Sequence, residues 1–180
     1  PLSLQVREVE APAAFAGTRS RRFEFTSRGD RVPGRLFLPA TGAGPFPLIL
    51  LQHGAGGSKE AAYMETSAPW VRGGAAVASI DFPLHGERAS AKLSARLLAG
   101  LADEASIEAS GLWVEFARQS VHDLQRALDA LAEVPEIDST RVAYAAFSLG
   151  ALLGSLFCAL DPRPRAAALA LAGGGFGPEI

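Results

Sequence analysis

The sequence of 180 residues contains a single cysteine, Cys158, which excludes an internal disulfide bond. Lys and Arg number 17 against 19 Asp and Glu, so the net charge of −2 provides no basic face for a phosphate backbone. The longest apolar run, 166–175, is rich in alanine and far shorter than the ~20 residues that a membrane-spanning helix needs. We therefore expect neither nucleic acid nor a membrane as a partner.

The N-terminus lacks the pattern of a secretory signal peptide, in which a basic region precedes an apolar run and a small-residue cleavage site. With no disulfide to require an oxidising compartment, the cytoplasm is the expected location. The sequence begins at Pro1 and not at methionine, so a signal peptide that has been removed stays open as an alternative.

Apolar runs and turn residues alternate in the order expected of an open α/β sheet. Alternating residues over 22–27, a turn at 28–30 and an extended run over 32–38 predict an antiparallel β-hairpin. Continuous apolar runs between helical patterns predict buried, mostly parallel strands flanked by helices, in one α/β domain over 1–180. These strands are expected at 48–51, 75–80, 142–146 and 166–171, and the helices at 59–72, 111–134 and 149–159.

Residues 89–110 fit this alternation poorly. Leu93, Leu97 and Leu101 recur at the spacing of a short amphipathic helix, and a polar stretch follows them. We interpret the segment as a helical excursion near the mouth of a site.

Ser148 lies at the junction between the apolar run 142–146 and the next predicted helix. In a nucleophile elbow a strand turns sharply into a helix, and small residues two positions before and after the serine leave its hydroxyl standing over the sheet. Ala146 and Gly150 occupy these positions, with Ala146 in place of the usual glycine. The pattern indicates a nucleophilic serine.

Two other stretches come directly after predicted strands. The glycine-rich loop 53–57 follows 48–51, and the polar stretch 81–88 follows 75–80. Because sites in open α/β sheets form beyond the carboxyl ends of the strands, Asp81 and His85 are possible site-lining residues. Holding the loop in place is the alternative role of His85, and the one we favour.

In this order, the loop at His53 and Gly54, the stretch 81–88, the segment 138–141 and the Ser148 elbow resemble the α/β-hydrolase family. The resemblance covers nearly the whole chain and is closest to the dienelactone-hydrolase-like and prolyl-oligopeptidase-like esterase branches. It implies a serine hydrolase that cleaves a small-molecule ester or thioester through an acyl-enzyme and needs no cofactor.

The resemblance makes Ser148 the nucleophile and assigns the oxyanion hole to the backbone amides of Ala55 and Leu149. Both assignments have a physical basis. The Leu149 amide is at a predicted helix start, where free N–H groups and the helix dipole favour negative charge, and the glycine-rich loop can aim the Ala55 amide at the same point.

The base is missing from this sequence. The family places its acid and then its histidine after the serine, whereas His53, His85 and His122 all precede Ser148. We therefore expect the acid and the histidine to come from a missing C-terminal segment or from a partner fragment. The last predicted strand, 166–171, is apolar on both faces and would be a bare sheet edge unless such a segment covers it.

The remaining candidates have plainer interpretations. His53 is expected to pack under its loop, His122 to be solvated on its helix, and Cys158 to pack as a small hydrophobe. Glu179 could act as the acid, but a solvated terminal carboxylate is the favoured interpretation.

The alternative to a hydrolase is a non-catalytic member of the fold that keeps its pocket for binding. Glycine clusters at 54–57 and 173–177 do not complete the phosphate-binding patterns of a nucleotide-binding domain. No two histidines have a spacing suited to zinc, so no metal is expected. A homo-oligomer formed through the arm 2–16 stays open.

Overall fold

A seven-stranded sheet forms the centre of the computed structural model, which describes residues 2–100 and 107–172, and its strand order is β1-β2-β3-β5-β4-β6-β7. Antiparallel pairings join β1, β2, β3 and β5, and parallel pairings join β5, β4, β6 and β7. The strands are β1 (Gln5–Glu8), β2 (Arg19–Ser27), β3 (Asp30–Leu38), β4 (Phe46–Gln52), β5 (Ala76–Ile80), β6 (Ile137–Phe147) and β7 (Pro164–Ala170). The expected α/β class with an N-terminal antiparallel hairpin is confirmed.

Helices cover both faces of the sheet. The α-helices are α1 (Ala68–Arg72), α2 (Ala91–Gly100), α3 (Ile107–Ala132) and α4 (Leu149–Leu160), and short 3-10 helices span Ala13–Phe15, Ala62–Ser67 and Gly86–Arg88. Strand β4 shows how the two faces are filled. Leu50 packs into the core beneath α3 and α4, whereas Leu51 packs into a smaller core with Met64 and Val71. Because successive strand residues point to opposite faces, a continuous apolar run is what a doubly covered strand requires.

One sequence expectation needs correction, and one strand was missed. The helix predicted over 59–72 is a 3-10 helix followed by the single-turn α1, with Pro69 in its first turn. Proline favours a helix start and cannot donate to a preceding turn, so it divides the segment. Strand β1 was not predicted because all four of its residues are exposed, which leaves no apolar period to detect.

The excursion predicted over 89–110 contains α2, and residues 101–106 lie outside the described residues. Leu97 of α2 is buried in the main core. Leu93 and Leu98 stay largely exposed. The helix is therefore attached to the core along one side only.

Helix α4 approaches the sheet closely at a glycine. A Cβ atom on Gly154 would lie 2.1 Å from the ring of Tyr144 on β6, and that ring is fully buried. The Tyr144 hydroxyl donates to the Gly150 carbonyl over 2.7 Å, so the ring is fixed at both ends. Gly154 therefore sets the distance between α4 and the sheet.

The variant Gly154→Ala is expected to lower the free energy of unfolding by about 1–3 kcal/mol, because overpacking a fixed ring outweighs the higher helix propensity of alanine. Gly111→Ala on α3 is the matched control, since no atom lies within 4 Å of its added Cβ. Gly111→Ala should raise the free energy of unfolding by about 0.5–1 kcal/mol. Urea unfolding of both variants measures the difference, and equal effects would contradict the packing argument.

Candidate active site

Ser148 is exposed and has backbone angles φ 48° and ψ −114° at the turn from β6 into α4. A non-glycine residue at positive φ is uncommon, and strained residues of this kind cluster at functional sites. The Ser148 amide donates to the Ala170 carbonyl of β7 over 2.8 Å, which ties the turn to the sheet. These features are those of a nucleophile elbow.

The glycine-rich loop after β4 lies directly against this elbow. A Cβ atom on Gly150 would be 2.6 Å from the His53 carbonyl oxygen, and one on Gly54 would be 3.3 Å from the Cβ of Ser148. A side chain at position 150 would clash with the His53 carbonyl, and one at position 54 would be tight against Ser148. The loop and the serine, which are ~90 positions apart in the sequence, therefore share one site.

The two residues predicted to supply the oxyanion donors are direct sequence neighbours of this contact. Leu149 is the first residue of α4, and Ala55 is next to Gly54 in the loop. In the described ranges, neither the Leu149 amide nor the Ala55 amide has a hydrogen-bond partner. Free amides beside a serine can stabilise an oxyanion.

Tyr63 is a residue of this site that the sequence did not reveal. Its hydroxyl accepts a hydrogen bond from the Gly54 amide over 2.7 Å, and its ring packs edge-on against Phe147, with 5.2 Å between the ring centroids. Partial burial raises the pKa of Tyr63, so the hydroxyl stays protonated at neutral pH. Tyr63 thus joins the loop to the residue before the nucleophile.

Asp81 is fully buried and does not face the serine as a reacting group. Its carboxylate accepts hydrogen bonds from the amide of Lys59 at 2.8 Å, the Lys59 Nζ at 2.9 Å and the amide of Glu87 at 2.9 Å. Lys59 Nζ also pairs with Glu87 at 2.6 Å, which lowers the Glu87 pKa. Asp81 therefore clamps the end of the glycine-rich loop to the turn after β5. Lys59 was missed because nothing in its sequence context predicts burial.

His53 is fully buried beneath the loop, as the sequence predicted. Its Nδ1 lies 2.8 Å from the Gly54 carbonyl, and its Nε2 accepts a hydrogen bond from the Phe82 amide at 3.2 Å. Burial lowers the pKa of His53 to about 4. With both nitrogens engaged, His53 cannot take a proton from Ser148.

The other histidines also make no contact with the nucleophile. His85 is buried, with Nδ1 2.8 Å from the Pro83 carbonyl, and His122 is exposed on α3. Within residues 2–100 and 107–172, no histidine hydrogen-bonds to Ser148. Glu179 and the glycine cluster 173–177 lie outside the described residues. The described part of the chain thus places no histidine within hydrogen-bonding distance of the predicted nucleophile.

Strand β7 forms one edge of the described sheet, next to the elbow. All of its residues except Pro164 are exposed, and Leu169 retains 40% of its accessible surface. Leu160, at the end of the neighbouring α4, is 67% exposed. The strand expected to be buried at 166–171 is thus exposed in the described part of the chain, as expected of a sheet edge that no further segment covers.

No helix among the described residues is long and apolar enough to cross a membrane. The same residues contain no group of three or more His, Cys, Asp or Glu side chains that could hold a metal ion. Cys158 is a partly buried thiol packed against the main core, and burial raises its pKa.

A mixed sheet with a parallel half, and a serine at positive φ between that half and a helix, define an α/β-hydrolase. Residues 2–171 match the family described as acetyl xylan esterase (AXE1). The chain belongs to this family. No curated protein is detectably similar to it in sequence.

Solved esterase structures share this fold. The acetyl xylan esterase from Paenibacillus sp. R4 superimposes with a TM-score of 0.71 at 24% identity, covering 93% of this chain and 52% of its own. The acetyl xylan esterase from Thermoanaerobacterium sp. JW/SL YS485 superimposes with a TM-score of 0.69 at 22% identity. The match covers 93% of this chain and 51% of that esterase. A cold-adapted esterase from an Arctic intertidal metagenomic library superimposes with a TM-score of 0.72 at 25% identity. The match covers 96% of this chain and 67% of that esterase. The chain spans about half the length of the two acetyl xylan esterases.

We expect Asp81→Asn to destabilise the protein by about 3 kcal/mol, because it leaves the buried Lys59 ammonium without its main partner. Glu24→Gln is the control, since it breaks an ion pair with Arg31, whose side chain is 78% exposed. That change should lower the free energy of unfolding by less than about 1 kcal/mol. Chemical unfolding at neutral pH compares the two. Equal losses would show that the clamp has no special role.

His53 should make stability depend on pH. Its pKa is about 4 in the fold against 6.5 for the unperturbed group, so only the unfolded chain gains a proton as the pH falls from 6.5 towards 4. Stability should therefore fall in this window, by about 3 kcal/mol in total. Urea unfolding between pH 7.5 and pH ~4 tests this, with His53→Gln expected to lose the dependence and His122→Gln to keep it. An identical profile for all three proteins would refute the assignment.

Proposed function

We propose that this chain carries the nucleophile and the oxyanion hole of a serine esterase. The observation that supports the proposal best is an exposed Ser148 at positive φ, flanked by the unpartnered amides of Ala55 and Leu149. The Ser148 Oγ attacks the ester carbonyl carbon while a base takes its proton. The two amides stabilise the oxyanion, and the ester C–O bond breaks as the alcohol leaves with a proton.

The acyl-enzyme is then hydrolysed by water, which returns the hydroxyl to Ser148 and releases a carboxylic acid. No cofactor enters either step. The family name and the names of the structural neighbours favour acetyl esters as the substrate class within the ester or thioester group. The resemblance to dienelactone-hydrolase-like and prolyl-oligopeptidase-like enzymes supports the same chemistry.

The base and its acid are proposed to come from polypeptide outside residues 1–180, either a C-terminal segment or a second chain. His53 has both nitrogens engaged, and no other histidine contacts Ser148 among the described residues. A segment pairing with the exposed edge of β7 would cover its apolar side chains and would lie beside the elbow. The exposed edge of β7 would therefore be stabilised by a completing segment, and it lies where that segment could reach Ser148.

A non-catalytic binding protein of the same fold is the second candidate. The absence of a base beside Ser148 in the described part of the chain favours it, because the oxyanion donors alone can hold a carbonyl or carboxylate oxygen. The two candidates differ in whether Ser148 is activated.

Labelling with a fluorophosphonate probe, combined with intact mass under denaturing conditions, separates them. The esterase proposal expects Ser148 to be modified in a preparation that also contains a histidine-bearing segment, as an extension or as a bound fragment. Ser148→Ala should abolish labelling, whereas Ser155→Ala, which removes an exposed hydroxyl on α4, should not. A preparation that contains the completing segment and leaves Ser148 unlabelled would favour the binding protein.

A further inference from the structure

A small pocket of about 150 Å³ lies between the glycine-rich loop and α2. Its walls include Gly56 and Gly57 of the loop, Leu84 and His85 of the turn after β5, and Leu98 of α2. The pocket is therefore built by the loop, the clamped turn and the helical excursion together.

The pocket shares its wall with the reaction centre. Gly57 donates its amide to the Gly54 carbonyl over 3.1 Å, closing a turn, and Gly54 lies against the Cβ of Ser148 at the other side of that turn. The amide of Ala55, one of the proposed oxyanion donors, is in the same turn. A group held in the pocket is thus separated by this turn from an ester carbonyl at Ser148.

His85 gives this pocket a polar group with free capacity. Its Nδ1 is 2.8 Å from the Pro83 carbonyl, which can only accept, so we assign the proton to Nδ1 and a lone pair to Nε2. Nε2 has no hydrogen-bond partner in the part of the chain that the structure describes, and it is not enclosed by protein. His85 is one of the residues that line the pocket, and we infer that its open nitrogen is the atom that a ligand there would meet.

Of the side chains that line the pocket, those of His85 and Ser94 are polar. The Ser94 hydroxyl is committed, because it donates to the Leu84 carbonyl at 2.7 Å and accepts from the Ser90 amide at 3.2 Å. Leu84, Leu98 and Ala89 supply apolar walls. A pocket of about 150 Å³ has room for a molecule the size of benzene.

We propose that this pocket binds a neutral, hydroxyl-bearing group no larger than a six-membered ring, whose hydroxyl donates to His85 Nε2. The inference rests on the proposed function in one respect, since it assigns this group to the alcohol portion of the ester cleaved at Ser148. His85 then acts as a specificity-determining residue. An acceptor that a bound hydroxyl satisfies is left unpaired by an analogue without the hydroxyl, and the site therefore disfavours that analogue.

Phenol and toluene test this, because they have nearly the same size and differ in the hydroxyl. The full chain, labelled with ¹⁵N, is titrated with each compound while the amide signals of Gly56, Gly57 and Gly86 are followed. Phenol is expected to bind about 5-fold more tightly than toluene, the ratio that one net hydrogen bond supplies. Equal affinities, or no shift of these signals with either compound, would overturn the proposal.

Three variants locate the effect. His85→Phe should bring the phenol-to-toluene ratio to about 1, because a ring remains and the acceptor is lost. Leu98→Phe places a larger side chain in the pocket wall, at a residue that is 40% exposed, and it leaves His85 in place. This variant should bind both compounds more weakly. Leu93→Phe on the same helix, outside the pocket, should change neither. If His85→Phe does not fold, Leu98→Phe alone decides, and unchanged phenol binding there contradicts the site.

The binding readout is independent of catalysis. Phenol selectivity without fluorophosphonate labelling of Ser148, in a preparation that contains the completing segment, would support the pocket and count against the esterase. Labelling of Ser148 without phenol selectivity would do the reverse, because the esterase would stand and the role of His85 would be refuted.

Discussion

The close backbone approach between α4 and the end of β4 is the constraint on which the site depends. Gly150 faces the His53 carbonyl at a distance that no side chain could share, and Gly154 is pressed in the same way against Tyr144. Helix α4 can begin this near to the sheet only if the chain turns sharply before it. Ser148 takes that turn at φ 48°, which leaves the hydroxyl exposed and the Leu149 amide unpaired.

The opposite wall of the site depends on buried charge. The glycine-rich loop has few side chains of its own, so contacts on its two sides set its position. On one side the Gly54 amide donates to Tyr63, and on the other Lys59 forms a buried ion pair with Asp81. Glu87 links the same cluster to Arg22 on the hairpin. A loop fixed at both ends holds its backbone amides in fixed positions, which electrostatic stabilisation of an oxyanion would require.

Much of the fold and the centre of the site could be predicted. The hairpin, the buried parallel strands and helix α4 follow from periods of two and 3.6 residues, and Ser148 follows from its small neighbours. The helix over 59–72 was wrong because Pro69 divides it, and β1 was missed because an exposed edge strand has no apolar pattern. Tyr63 and Lys59 could not be found, since their importance comes from partners that are distant along the chain.

The sequence by itself determined the layer architecture, the elbow serine and the lack of a histidine after it. These depend on local order along the chain, which hydrophobic period and turn chemistry record directly. The tertiary structure alone decided that Asp81 clamps two loops, that His53 has no free nitrogen, and that His85 lines a pocket beside the loop. Those roles depend on which groups meet in space and which hydrogen bonds remain unmade, and a linear pattern carries no information about either.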